Sequence, residues 1–309
     1  MISSAPASAA EPPPRQESAM SFELLGEAII AGVLLGCFYA ALSVGLSVAF
    51  GLLDVPQIAH PAFLIVGAYG AYFLGSFGLD PLLAGFLLTP VFFLAGLAVY
   101  RFYHAAFESR GTDAGLRGLA LFFGIAFIVE VALILGFGVD QRMVEADYIG
   151  KSVALGDVRI PIRMLVAVGV ALVLIAGLSL YLSATFTGRA IKAVAQDQTA
   201  LALMGADPVR IKQWAFGIAT GTCALAGALL IIVAPVEPGL GRLYIGRTFC
   251  VVVLAGLGSM PGTLLAGIIL GIAESIVLTS LGASWAPAVA FGLLLLVLAV
   301  RPAGLFGQR

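Results

Sequence analysis

Thr187-Gly-Arg-Ala-Ile-Lys-Ala-Val-Ala-Gln-Asp197-Gln-Thr-Ala-Leu-Ala-Leu-Met-Gly205 is the longest amphipathic polar stretch in a chain that is otherwise almost continuously apolar. From Ile191 the apolar Val194, Ala195, Leu201 and Ala202 recur at helical spacing, while Lys192, Gln196, Asp197 and Thr199 occupy the other faces. Gly205 stands where a left-handed C-terminal cap belongs, so the spacing predicts a short helix ending at Met204. Asp207-Pro208 then places a carboxylate N-cap before a proline at a first helical position, which opens a new helix. The stretch 187–212 therefore reads as helix, sharp turn, helix. Amphipathicity alone leaves two readings of it, a helix lying at lipid headgroups and a helix docked on a protein surface.

Outward from this stretch, 61% hydrophobic and 11% charged residues, with a mean hydropathy of +1.09, cannot be buried inside one soluble domain of this length. The composition implies an all-α polytopic membrane protein. A span needs roughly 20 apolar residues, and candidates lie near 25–52, 61–77, 81–101, 118–137, 162–184, 212–234, 246–258, 262–281 and 286–300. The stretch 246–258 is short for a crossing, so the count is eight to ten transmembrane or re-entrant helices. The Gly256-Leu-Gly-Ser-Met-Pro-Gly262 break must lie against protein, in a cavity or near an interface, because lipid cannot satisfy an irregular backbone. Asp80-Pro81 repeats the capping signal of Asp207-Pro208. Gly32 and Gly36, Gly217 and Gly221, and Gly267 and Gly271 are spaced to let helices approach closely. Residues 1–20 are rich in Ala, Ser and Pro and read as a disordered tail, leaving Met1 and Met20 as alternative starts of a single domain over 21–309.

The same residues exclude several functions. A net charge of −1 offers no basic field for nucleic acid. Cys37, Cys223 and Cys250 fall in apolar segments and suggest neither disulfide nor metal. With two histidines and no clustered nucleophile and base, no catalytic constellation is visible. Orientation is nearly balanced. One side carries Arg101, Arg110, Arg117, Arg189, Lys192, Arg210 and Lys212; the other carries Arg142, Lys151, Arg159 and Arg163 in one loop and Arg242 and Arg247 in the next. Counting Lys and Arg prefers the first side as cytoplasmic by a small margin.

Buried charges are the remaining candidates. Glu130 and Glu274 sit inside apolar helices, where a carboxylate at the bilayer centre costs about 3 kcal/mol on insertion scales. Each either lines a translocation pathway, or lies near a helix end, is protonated, or pairs structurally with a neighbouring Ser or Arg. Asp54 and His60 flank the first helix break and read as polar residues at an interfacial helix end, with His60 a further pathway candidate. Tyr39, Tyr69 and Tyr72 either line a cavity or pack helix interfaces.

Four motifs in order resemble the permeases of the branched-chain amino acid ABC transporter family, the LivH/LivM type: His60-Pro-Ala-Phe-Leu-Ile-Val-Gly-Ala-Tyr69, Gly188-Arg-Ala-Ile-Lys-Ala-Val-Ala-Gln-Asp197 with Ala200-Leu-Ala-Leu-Met-Gly205, Gly256–Gly262 followed by Gly267 and Gly271, and Arg301-Pro-Ala-Gly-Leu-Phe-Gly307. Together they cover roughly 21–307. The family usually has a small polar residue and a glycine near His60-Pro61, so Pro61 alters the entrance to that helix. The resemblance implies an importer subunit of the bacterial inner membrane whose segment 187–205 is a cytoplasmic coupling helix. Gly188, Arg189, Ala190, Ala193, Asp197, Ala200 and Gly205 would meet an ATPase subunit. It further implies a second homologous permease, two ATPase subunits that hold ATP and magnesium, a periplasmic substrate-binding protein, and branched-chain amino acids or related amides, urea or aromatic acids as cargo. This chain itself would carry no cofactor. In agreement, no complete Walker A is present: the nearest decoy, Gly150-Lys151-Ser152, has Glu145 where the first glycine belongs. The competing class is a proton-coupled secondary transporter using Glu130, Glu274 or His60 as a relay, and a third is a purely structural membrane subunit. Neighbouring genes for ATPases and a secreted binding protein would favour the importer.

Overall fold

The computed structural model describes residues 22–53, 55–110, 114–155 and 158–307. The proposed tail 1–20, with Met20, and Asp54 lie outside the described residues. The protein is an all-α polytopic membrane protein. Its helices are α1 (Phe22–Ala49), α2 (His60–Gly75), α3 (Pro81–Ala106), α4 (Ala114–Phe137), α5 (Ile162–Ala184), α6 (Phe186–Gln196), α7 (Gln198–Leu203), α8 (Pro208–Val233), α9 (Gly241–Ala255), α10 (Met260–Ser280) and α11 (Ala286–Val300). Among the described residues eight are long and apolar enough to cross a bilayer: α1, α3, α4, α5, α8, α9, α10 and α11. The short candidate at 246–258 reaches crossing length because α9 begins earlier, led in by a 3-10 turn at Pro238–Leu240. One unexpected element is an antiparallel hairpin of β1 (Ser152–Leu155) and β2 (Val158–Pro161) between α4 and α5, in register Ser152 to Pro161. Gly150, at φ +88°, leads into it, so the Gly150-Lys151-Ser152 decoy opens a strand and not a phosphate-binding helix.

Helix starts follow the predicted capping chemistry. The Asp80 carboxylate accepts from Leu82 N at 2.8 Å and that of Asp207 from Val209 N at 3.0 Å, each ahead of a proline whose missing N–H is an orphan position anyway. Pro61 is the second residue of α2, still within the first turn where a main-chain N–H has no helical partner, so it fits the entrance to that helix without disturbing it.

The core is made by close backbone approach. α1 lies against α10, and the two predicted glycine pairs face each other: a Cβ on Gly32 would meet Ile272 Cα at 2.6 Å, and one on Gly36 would stand 2.8 Å from the Gly267 carbonyl carbon. Gly267 and Gly271 are equally blocked by the backbone of α1. α8 is the central helix, buried along most of its length. Gly67 of α2 approaches Cys223 O, and Gly85 and Gly96 of α3 approach Ala228 and Thr220 of α8. The pair Gly217 and Gly221 packs more loosely on α3: Gly217 receives the side chains of Phe93 and Leu97, and a Cβ on Gly221 would have only ordinary contact with Thr89 and Phe93, at 3.5 Å and beyond.

Two irregular segments are enclosed by this packing, as a lipid environment demands. His60, the first residue of α2, hydrogen-bonds to Leu42, which lies seven residues, about 10 Å, before the end of α1. Hence α2 begins inside the bundle, after a buried turn over 55–59 tightened by Gln57 N donating to Val55 O at 2.7 Å. The other segment, 256–259, places Gly256 and Gly258 at φ +86° and +82°. Here the C-terminal stretch closes α9 from outside: Leu305 N donates to Leu254 O at 2.9 Å and Phe306 N to Ala255 O at 3.1 Å. Gly256 has no room for a Cβ beside Gly307, which explains why both glycine-rich motifs are needed together.

Gly36→Ala should lower thermal stability in detergent by about 1–3 kcal/mol, the cost of overpacking a tight interface. Gly169→Ala in α5, where nothing lies within 4 Å of the added carbon, should be neutral or slightly stabilising. Equal midpoints for the two variants would remove the α1–α10 contact from its central place.

Candidate functional site

Thr185 starts the polar segment, its hydroxyl accepting from Gly188 N at 3.0 Å. Gly188 is buried with Leu182 Cα 2.5 Å from where a Cβ would stand, so only glycine lets α6 fold back on α5. Gly188, Ala190, Ile191 and Val194 face inward, Ala193 is half-buried, and Arg189, Asp197, Ala200 and Gly205 are exposed. The single helix expected to run to Met204 is instead two. Asp197 leaves the helical region at φ −155° and ψ 108°, and its carboxylate accepts from Thr199 N at 2.8 Å and Ala200 N at 3.0 Å. The reason is the preference of Asp for capping over a helix interior, which amphipathic spacing does not register. Leu201 anchors α7, Gly205 turns the chain at φ +83°, and Leu203 and Met204 at the tip are each 85% exposed. Those two apolar residues were not singled out from the sequence, because their period matched the buried face.

Beneath α6 lies a cavity of about 530 Å³ lined by Gly51, Lys192, Gln196, Gly258, Ser259 and Phe306 among others. Three of the four sequence motifs therefore converge at one end of the bundle.

That end is braced by a charged knot. Glu108, in a 3-10 turn at Glu108–Arg110 after α3, accepts from Lys212 Nζ of α8 at 2.6 Å and from the Tyr100 hydroxyl at 2.7 Å, with His104 Nδ1 at 2.9 Å. Burial pushes its carboxyl up, but the hydrogen bonds from Lys212, His104 and Tyr100 outweigh burial and hold it below the usual 4.5. Glu108 went unnoticed in the sequence because its partner is 104 residues away.

The pathway candidates separate. Glu274 of α10, 2% exposed, is bound by Arg247 of α9, 15% exposed, whose Nε lies 3.1 and 3.2 Å from the two carboxylate oxygens. Tyr39 and Tyr244 flank the guanidinium at 5.7 and 5.5 Å, a cation–π arrangement. Arg247 thus lies within a helix, not in the outer loop to which the sequence had assigned it. Glu130 of α4 pairs with Arg242 at 2.9 Å, at the start of α9. His60 is fully buried, not interfacial as expected. Its Nε2 donates to Leu42 O at 2.8 Å, which fixes the tautomer and leaves Nδ1 facing the Cys223 thiol at 3.4 Å. Tyr69 is buried at the opposite end of the bundle, its ring 4.8 Å from Phe137. Gln57, in the buried turn before α2, has neither amide atom paired. Glu130, Glu274, His60 and Tyr69 consequently occupy separate places and form no common site.

The family described as branched-chain amino acid transport system, permease component, matches residues 28–298. The chain belongs to that family. Across 91% of its length this permease is 28% identical to the high-affinity branched-chain amino acid transport system permease protein BraD of Pseudomonas aeruginosa, covering 95% of that protein. It is 27% identical to the corresponding LivH protein of Escherichia coli over 90% of this chain and 94% of that one. A probable LivH permease of Methanocaldococcus jannaschii is 24% identical over 82% of each chain. No solved structure matches.

Two expectations follow for this permease. Glu274→Gln strands a buried guanidinium and should cost about 3–5 kcal/mol of stability, whereas the double change Arg247→Met with Glu274→Met should recover most of it; thermal unfolding of all three decides. Because the Glu108 carboxyl is depressed in the folded state, its contribution is whole above pH 4.5 and is lost as pH falls through the lowered value. Glu108→Gln should flatten the acid limb of the stability profile below pH 4.5.

Proposed function

We propose that the chain is the membrane subunit of an ATP-driven importer, carrying branched-chain amino acids or related small solutes, with amides, urea and aromatic acids as the neighbouring cargo classes. The segment 186–207 faces the cytoplasm and seats α7 in a groove of an ATPase subunit, a helix-in-groove contact. The observation that carries this reading is the pair Leu203 and Met204, exposed at the tip of a rigid elbow held by the Asp197 and Asp207 caps. A helix lying flat on lipid would turn one continuous apolar face to the membrane; here Gly188, Ile191, Val194 and Leu201 face protein, and the exposed large apolar residues Phe186, Leu203 and Met204 sit at the two ends of the segment.

Motion of the ATPases would enter through α7 and pass into α8, whose first turns are tied to α3 by Lys212 and Glu108. The pathway then opens alternately to each side by rigid-body movement. The assembly comprises a second homologous permease, two ATPase subunits holding ATP and magnesium, and a periplasmic binding protein, in a bacterial inner membrane. Arg247 on one side and Lys212 on the other are each held in an ion pair, so the small margin in the Lys and Arg count is unchanged. A proton-driven transporter is less well supported, because both carboxylates it needs are held by arginines.

Affinity purification of the tagged chain in mild detergent should recover ATPase subunits, and deletion of 189–204 should lose them. Asp197→Arg should insert normally yet lower ATP-driven uptake at least tenfold, while Asp197→Asn, which still caps, should retain most of it. A chain that purifies alone and takes up solute on a proton gradient contradicts the reading.

A further inference from the structure

At the bundle end opposite α6 and α7, residues 138–149 fold over the outer ends of α2, α4 and α8. The lid is fastened by main chain: Arg142 N donates to Val236 O at 2.8 Å and Val236 N to Arg142 O at 2.9 Å. Tyr148 adds a long contact of 3.5 Å to Asp80. Under this bridge three polar groups stand close without partners. The Tyr69 hydroxyl, on a side chain 1% exposed, is buried with no hydrogen bond, and so is Arg142 Nε. Glu237, next to the bridging Val236, is half-buried, and its carboxylate has no hydrogen bond or ion pair among the described residues, while its carbonyl accepts from Leu240 N at 3.1 Å. Both Arg142 and Glu237 lie within electrostatic reach of the phenol. Arg142 Nη2 is held by Phe137 O at 2.7 Å and its guanidinium sits 5.8 Å from the Tyr72 ring centre, so the fork is aimed and not free.

Buried groups such as the Tyr69 hydroxyl and Arg142 Nε are normally paired, and leaving either unpaired costs roughly 1–3 kcal/mol. Here an unpaired phenol lies within reach of a cation and an anion, walled by Tyr72 and Phe137, whose rings are 6.3 Å apart.

We propose that Tyr69, Arg142 and Glu237 form the outer recognition gate of the permease, and that it takes an α-amino acid zwitterion when the lid 138–149 lifts. Arg142 and the Tyr69 hydroxyl bind the carboxylate, a pairing suited to the planar guanidinium fork. Glu237 takes the ammonium, and the aliphatic side chain packs on Tyr72 and Phe137. This rests on the importer reading and narrows its cargo: urea and simple amides lack both charges and would leave the gate unsatisfied.

The test uses the complete complex with its binding protein in proteoliposomes, with radiolabelled L-leucine and, in parallel, radiolabelled urea. Tyr69→Phe removes an unpartnered hydroxyl, so thermal stability should hold or rise, while the rate of leucine uptake at limiting loaded binding protein should fall about tenfold, the equivalent of one charge-assisted hydrogen bond. Arg142→Lys and Glu237→Gln keep the main-chain latch and should show the same loss with normal complex yield. Uptake by all three variants within twofold of wild type overturns the gate. So does a wild-type complex that moves urea in preference to leucine, although the importer reading then stands. Absence of any ATP-driven uptake by the intact wild-type complex overturns both.

Discussion

Backbone lying directly on backbone between α1 and α10 is the contact on which the rest of the molecule depends. In a bilayer the apolar drive between helices is weak, so association relies on close packing, and Gly32 and Gly36 against Gly267 and Gly271 bring the two helices as near as covalent chains allow. The same device joins α2 to α8 through Gly67 and Gly227. Because these helices are locked without bulky side chains, the bundle has enclosed space for backbone that is not helical. The buried turn before His60 and the break at Gly256 both sit in protein, where their polar groups can be met internally.

From that scaffold the polar chemistry is distributed with a logic of ends. One end concentrates α6, α7, the Gly256 break, the C-terminal stretch and the Glu108 knot, all tied to a few helix termini. The other end carries the hairpin, the lid and a set of groups left open. Between them the Arg247–Glu274 pair spans α9 and α10. A buried pair of this kind is weak evidence for stability in itself, and its flanking tyrosines show that the protein has built a specific environment for the guanidinium. Lys212 near the start of α8 is held by Glu108 just after α3, which ties these two helices together at that end.

Much of the fold was legible because membrane sequences obey few rules. Eight of the nine candidate spans, the caps at Asp80 and Asp207, the glycine pairs of α1 and α10 and the Gly205 turn all follow from local pattern, and the family follows from four motifs in order; the candidate at 61–77 is α2, whose 16 residues are too few to place it among the crossing helices. What the pattern missed was long-range or conformational. Asp197 splits the polar helix because a carboxylate there prefers to cap, a choice that hydrophobic period does not encode. His60 was placed at an interface because it follows a helix break, yet the break itself lies inside the bundle. Arg247 was counted in a loop because α9 begins several residues earlier than apolar content indicates. Glu108 with Lys212, and Tyr69 with Arg142, are joined by folding across long stretches of chain, so no single-sequence spacing announces them.

The account is tested most directly by a photo-crosslinking side chain placed at Met204 in membranes containing the full transport system. The three cysteines are buried and the substituted site is exposed, so labelling reports only what sits against the α7 tip. The account predicts a single major adduct with an ATPase subunit, absent when the same group is placed at Leu180 on the outer face of α5. Adducts with lipid alone at Met204, under conditions in which the complex imports solute, would contradict it.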